Sequence, residues 1–375
     1  MPPQPLSIDV FEQAKAQFFA GLASFEAGRF AEAEQQFLAS LALVPARVST
    51  LINLAGTQLK LARPDDALAT TDQVLVLEPD NLDAWFHRGN ALAQLGRNEP
   101  SLAAYDKALA LDPALAPAWS HRGGILRELN RLDEAAESFR QALAHGADAE
   151  LNDYYLAAVG AQRAPATAPR QYVQALFDSY AGQFDAHLVD VLKYQAHAVL
   201  AKHLTALGGG PFRSALDLGC GTGLCGPLVK PMAARLAGVD LSAAMLDKAR
   251  ALRVYDELVQ ADIVEHLRST AQRHDLVLAA DVFIYVGDLA PVFDALAGRV
   301  VPGGVFCFSA ELAGPACSSF ELLPSLRYAH APGYLQQLAE LHGFETVQLQ
   351  REPIRKDQRA PIDGLFVYLV KRAGS

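Results

Sequence analysis

Three prolines, Pro45, Pro79 and Pro113, recur at a fixed step of 34, and a period of this length leaves few folds open. Trp85 and Trp119, Gly89 and Gly123, Tyr105 and Phe139, and Ala108 and Ala142 keep the same step, and Phe37 falls two steps before Tyr105. Such a unit is long enough for two helices, but one helix pair cannot cover its own apolar face, so roughly three or more must stack. Four units fit, about 14–47, 48–81, 82–115 and 116–149. The first carries Gln17 where later units carry Trp, and the second carries Thr71 in the aromatic slot. Core packing accounts for the repeated Trp, Tyr and Gly positions, and His87 and His121 belong to the same register.

In this register the pattern resembles the tetratricopeptide repeat, an antiparallel helix pair with small residues at the close approach, an aromatic on the second helix and a closing proline. The resemblance implies an α-helical solenoid. Residues 1–160 are assigned to it, with four repeats over 14–149 and a capping helix read in 150–156. This segment holds 12 basic and 21 acidic side chains, net −9, whereas the remainder of the chain holds 20 and 21, net −1. The concave face of an acidic solenoid suits a basic peptide, a partner domain or self-association. Residues 161–171, with Pro165 and Pro169, read as a semi-rigid linker, and 172–375 as a second domain.

Composition narrows the function classes. Of 375 residues 51% are hydrophobic and 20% charged, and no apolar run approaches the roughly 18 residues of a spanning helix, so no membrane role is expected. The start, Met1-Pro2-Pro3-Gln4, lacks secretory features, which predicts a cytoplasmic chain. A net charge of −10 without a basic stripe argues against nucleic acid. Cys220, Cys225, Cys307 and Cys317 read as reduced, and the spacing of the first two does not suit zinc, so no metal site is expected.

The second half carries the chemistry. A short β-like run, Ser214 to Leu218, leads into Gly219-Cys220-Gly221-Thr222-Gly223 and then a helical pattern. Strand, glycine loop and helix together let the backbone pass close to a nucleotide-type ligand at the strand's carboxyl end. The third glycine arrives one position earlier than in the dinucleotide fingerprint, which disfavours a nicotinamide dehydrogenase. The order Leu216-Asp217-Leu218-Gly219-Cys220-Gly221-Thr222-Gly223 closely resembles the glycine motif of class I S-adenosylmethionine-dependent methyltransferases.

That resemblance implies an α/β Rossmann-like domain with a seven-stranded mixed sheet, the last strand antiparallel and inserted between the fifth and sixth. It also implies S-adenosylmethionine as cofactor. Asp217, Gly219, Cys220, Gly221 and Gly223 would surround it, the Asp217 carboxylate facing a cation where a pyrophosphate would be repelled. Asp240, ending the second strand pattern from Leu236, is placed for the ribose hydroxyls. Ser242 reads as a helix N-cap, with Leu241 and Met245 bordering the adenine, Asp262 meeting its amino group and Ile263 covering the ring. Asp281, ending the fourth strand, completes the cofactor set. Ahead of the sheet, an aromatic stretch from Tyr172 to Asp185 reads as a lid, with Tyr172 and Tyr180 offering faces to a sulfonium. This stretch and the repeats together resemble a bacterial group of methyltransferases that carry tetratricopeptide repeats.

For the acceptor, His330 is the first choice of base, in Arg327-Tyr328-Ala329-His330. Arg327 suits a bidentate grip on an acceptor carboxylate, and Tyr285, Tyr328 and Glu311 suit shaping the pocket. His187, His197 and His203 lie in helical stretches with no partner motif and are assigned no chemistry. The leading reading is methyl transfer to an O, S or N atom of a small acceptor, the repeats serving dimerisation or substrate contact. A protein methyltransferase whose repeats recruit a peptide, and a scaffold with a vestigial cofactor site, are the alternatives.

Overall fold

The computed structural model describes residues 8–180, 193–357 and 360–374. Contacts divide the chain into two compact units, with the break between Gln162 and Arg163.

The first unit is helical. Four pairs follow the step read from the prolines: α1 (Ile8–Glu26) with α2 (Phe30–Leu43), α3 (Val48–Lys60) with α4 (Pro64–Leu77), α5 (Leu82–Gln94) with α6 (Asn98–Leu111), and α7 (Ala116–Glu128) with α8 (Leu132–Ala144). A ninth helix, α9 (Ala149–Ala158), follows, and α1 begins at Ile8, ahead of the expected boundary at 14. Within a pair the helices approach until glycine meets ring: a Cβ on Gly21, Gly89 or Gly123 would lie 2.5 Å from Phe37, Tyr105 or Phe139. The second repeat makes the opposite exchange, with Ala55 and Thr71 both fully buried at the matching positions. Thr71 there is an accommodation to the methyl group across from it. The periodic prolines have a second use, since the indoles of Trp85 and Trp119 donate to the carbonyls of Pro79 and Pro113 at 2.8 and 2.9 Å.

The second unit is an α/β sandwich around one sheet. Its strands are β1 (Phe212–Leu218), β2 (Ala233–Asp240), β3 (Glu257–Gln260), β4 (His274–Ala279), β5 (Val300–Leu312), β6 (Phe320–Leu322), β7 (Tyr328–His330), β8 (Phe344–Asp357) and β9 (Ala360–Lys371). Strands β3, β2, β1, β4 and β5 lie side by side in parallel. Strand β9 lies between β5 and β8 and runs antiparallel to both, as expected. The sheet has two strands beyond the expected seven because β5 continues past its register with β4, which ends at Phe308. Glu311 and Leu312 pair with Ala329 and His330 of β7, which carries β6 as a short hairpin partner.

The interior strands are apolar on both faces, as buried parallel strands must be. Leu216, Leu218, Val277, Phe306 and Phe308 pack on one face beneath α14 (Ile263–Ser269), α15 (Ala290–Ala297) and α16 (Pro332–Leu341). Ala215, Leu276, Leu278 and Phe366 pack on the other, beneath α11 (Ala196–Ala206). The remaining helices are α10 (Arg170–Tyr180), the short α12 (Gly226–Val229) and α13 (Ala243–Ala251). Among the described residues no helix is long and apolar enough to cross a membrane.

The expected linker does not behave as a spacer. Ala166 O accepts from the amides of Gly287 and Asp288 at 2.9 and 2.8 Å, Ala168 N donates to Tyr285 O at 3.0 Å, and the Tyr328 hydroxyl donates to Pro165 O at 2.9 Å. Residues 165–168 are therefore fastened to the second unit, with Thr167 bridged to Val286.

Candidate active site

Parallel strands end on one side of a sheet, and a ligand belongs outside those ends. Here the residues that follow β1, β2, β3 and β4 line a single cavity of about 440 Å³, closed on another side by Thr167, Ala168 and the Arg170, Val173, Leu176 and Phe177 face of α10. Gly219 turns the chain with φ of 63°, pressed so close to the next loop that a Cβ would sit 2.5 Å from Val282. Gly221, at φ of 55°, has nothing within 4 Å of its Cβ position, so the backbone lies open to the cavity. Its amide donates to Asp240 Oδ2 at 2.8 Å, and Ser242 N donates to Oδ1 at 2.9 Å. The carboxylate is thus held by one bond to each oxygen and keeps accepting capacity on both for a pair of hydroxyls. Burial pushes its pKa up.

Asp217 is 1% exposed and lines the same cavity. Tyr255, from the loop before β3, donates to its Oδ2 at 2.7 Å. Burial, with a contribution from the charge of Asp240, outweighs that bond and pushes the Asp217 carboxyl up to about 7. A carboxylate so poorly solvated gains most from a nearby cation. Asp262 caps α14, its Oδ1 accepting from Val264 and Glu265 at 2.9 and 3.0 Å, and lines the cavity with Leu241, Ala261 and Ile263. Carboxylates beside an open glycine backbone and an apolar slot fit a cationic nucleoside and do not fit a pyrophosphate.

The opposite side of the cavity is built differently. Asp281 takes φ of 60°, which non-glycine residues rarely adopt, and its amide donates to Ser309 Oγ at 2.8 Å. Its two oxygens stand 3.1 and 3.0 Å from Arg355 Nη1, while Arg355 Nη2 binds Glu311. Tyr285, whose hydroxyl burial pushes up to about 12, packs edge-to-face on Phe177 with ring centres 5.4 Å apart. Arg327 also lines the cavity, within reach to favour the tyrosinate, and has no ion-pair partner among the described residues.

Several expected residues lie elsewhere. His330 is fully buried on β7, outside the cavity lining, with Nε2 3.0 Å from the carbonyls of both Val286 and Gly287 and its ring stacked on Tyr334. Pairing with the end of β5 turns it inward, and burial lowers its pKa to about 4, so it ties a loop and stays neutral away from the cavity lining. Met245 is fully buried beneath the Ser242 cap and does not line the cavity. The Cβ position of Gly223 faces Leu252 and Tyr255, so this glycine serves packing of the loop. Cys220 lines the cavity with a buried thiol, whose pKa burial pushes up. Tyr172 lies on α10 outside the lining. Tyr180 ends that helix, its side chain lies outside the described residues, and so do residues 181–185 of the expected lid.

Other cavity residues carried no sequence signal. Tyr194 and His197 line it with rings stacked 5.2 Å apart. Arg355 arrives from β8, where a charged residue on a long strand looks like a solvent-facing position.

The family model for a methyltransferase domain matches residues 216–308, and that for the tetratricopeptide repeat matches 53–116 and 101–150. Malonyl-[acyl-carrier protein] O-methyltransferase of Salmonella typhimurium is 30% identical over 183 residues, covering 47% of this chain and 68% of that protein. Ubiquinone biosynthesis O-methyltransferase of Serratia proteamaculans is 35% identical over 106 residues, 27% of this chain and 44% of its own length. The crystal structure of magnesium protoporphyrin IX methyltransferase from Synechocystis PCC 6803 with bound S-adenosylmethionine superimposes with a TM-score of 0.41 at 18% identity, covering 54% of this chain and 96% of that one. With the glycine loop, its acidic neighbours and a relative matched over two thirds of its length, this chain belongs to the S-adenosylmethionine-dependent methyltransferases and carries tetratricopeptide repeats ahead of the catalytic domain.

Proposed function

We propose that the enzyme methylates an oxygen atom of a small acceptor that carries an anionic group. S-adenosylmethionine, when bound, supplies the electrophilic methyl group. Asp240 would hold its ribose, Leu241, Asp262 and Ile263 its base, and Asp217 would face its cationic end. The observation that carries the acceptor reading is Arg327, a cation in the cavity wall with no ion-pair partner among the described residues. A guanidinium so placed suits bidentate recognition of a carboxylate. An ionised acid also needs no base, which agrees with His330 lying outside the cavity. The two relatives described above are O-methyltransferases by name. Enclosing α10 and residues 167–168 would exclude water and hold the acceptor in line, and alignment of this kind is worth up to about 7 to 11 kcal/mol in favourable cases.

The repeat unit would serve dimerisation or partner contact. Its net −9 over residues 1–160 favours a basic partner, which keeps a peptide acceptor as the second reading. The test is a methyl-transfer screen with the full chain across carboxylic acids, phenols, thiols, amines and basic peptides, scored by formation of the demethylated cofactor. Turnover confined to acids or acid-bearing phenols, with KM raised at least tenfold in Arg327→Gln, is the expected result. Turnover of basic peptides alone refutes it.

A further inference from the structure

The covalent order of the cofactor decides which side chains meet its charge. With the base against Leu241 and Ile263 and the ribose on Asp240, the sulfur, bonded to the ribose 5′ carbon, follows on the side away from the base. That direction leads toward the ends of β1 and β4, where Asp217 and Asp281 line the cavity.

The two carboxylates are held in different ways. Asp217 has a hydroxyl donor and, among the described residues, no cation at hydrogen-bond distance. Asp281 belongs to a triad in which a single guanidinium, Arg355, stands between it and Glu311. Two carboxylates against one guanidinium leave one surplus negative charge. Arg355 is 2% exposed and Glu311 4%, so water does little to screen it. Burying three charges is a poor way to stabilise a fold, since apolar residues of like volume are often better. The backbone that carries the Asp281 carboxylate is also fixed, by a left-handed conformation and by the bond of its amide to Ser309, while Arg355 Nη1 holds the carboxylate itself. Backbone strain of this kind persists where the surroundings hold it, and it gathers at functional sites.

Resting on the cofactor placement proposed above, we infer that the Asp281–Arg355–Glu311 triad discriminates the cationic cofactor from its neutral product. The surplus charge attracts the sulfonium of S-adenosylmethionine and finds no partner in the thioether of S-adenosylhomocysteine, so the spent cofactor is held less tightly. Arg355 acts as a positioning residue, aiming Asp281 and separating it from Glu311.

The experiment is calorimetric titration of the full chain with S-adenosylmethionine, S-adenosylhomocysteine and sinefungin, an analogue with a protonated amine in place of the methylsulfonium. Asp281→Asn keeps the shape and removes one charge. It should weaken the two cationic ligands by about tenfold and the neutral product by less than about twofold, as loss of a Coulomb partner requires. Equal weakening of all three, or none, overturns the inference. Glu311→Gln removes the same charge from beyond the cavity lining. It should narrow the same ratio even where Asp281→Asn does not fold, and an unaltered ratio there also overturns the inference. A wild-type chain that binds none of the three refutes the cofactor placement itself, a result distinct from binding without discrimination.

Discussion

Binding of S-adenosylmethionine at pH 6.5 should release most of one proton, and Asp217→Asn should abolish that release. Burial, aided by the Asp240 charge, raises the Asp217 carboxyl from 3.8 to about 7, so at pH 6.5 about three-quarters of the free protein carries the proton. A unit positive charge about 5 Å away, at an effective dielectric of about 20, is worth roughly 3 kcal/mol, which lowers the carboxyl by about two pH units. The bound form is then almost fully ionised, and about 0.7 proton leaves per cofactor. The assay is calorimetry in buffers of different ionisation enthalpy, where the slope of observed heat against buffer enthalpy counts protons. At pH 8 the release should fall to about 0.1. The same group has the opposite effect on stability. Its folded pKa exceeds its unfolded one, so the stability it contributes is complete below about pH 4 and is lost as pH rises to about 7, unless the cofactor is present. No slope at pH 6.5 in the wild type, or an equal slope in Asp217→Asn, refutes the reasoning.

Asp240→Ala should weaken S-adenosylmethionine binding by about 1 to 3 kcal/mol through a lost buried acceptor; unaltered affinity removes the ribose assignment. His330→Ala should lower the melting temperature while turnover per folded molecule persists. The wild-type pH–rate profile should lack any inflection from this residue, which burial keeps neutral above about pH 4. A rate collapse in a fully folded variant would restore its claim as a base. In the repeats, Gly123→Ala places a Cβ 2.5 Å from Phe139 and should cost roughly 1 to 3 kcal/mol by thermal melting. Combined with Phe139→Thr, the loss should be less than the sum of the two single losses, because the second repeat already couples Ala55 with Thr71. Strict additivity would end the argument that ring and methyl exclude one another.

The helices were legible because periodicity is a local property: one fixed step positions Pro, Trp, Gly and ring alike. The side of the cavity proposed for the nucleoside was legible for a similar reason. Asp217, Gly221, Asp240 and Asp262 each sit at a strand end or in the turn beyond it, and strand ends can be read from apolar runs. The side proposed for the acceptor is assembled from distant segments. Arg355 reaches Asp281 across 74 positions, and Tyr328 reaches Pro165 across 163, so no window along the chain contains either pairing. His330 misled because Arg327, three positions before it, lines the cavity while β7 turns the His330 ring inward. Met245 misled because a helix residue one turn from a cavity can as readily face the sheet.

Residues 165–168 change what counts as the catalytic module. Excision at residue 172, where proline content and the return of helical pattern invite the cut, would keep every residue proposed to hold the nucleoside yet remove Thr167, Ala168 and Arg170 from the cavity wall. It would also leave the amides of Gly287 and Asp288 without their acceptor. A shortened enzyme of that kind would still take up cofactor while standing open on one flank, so anyone grafting this domain onto another protein must carry the seam along with it.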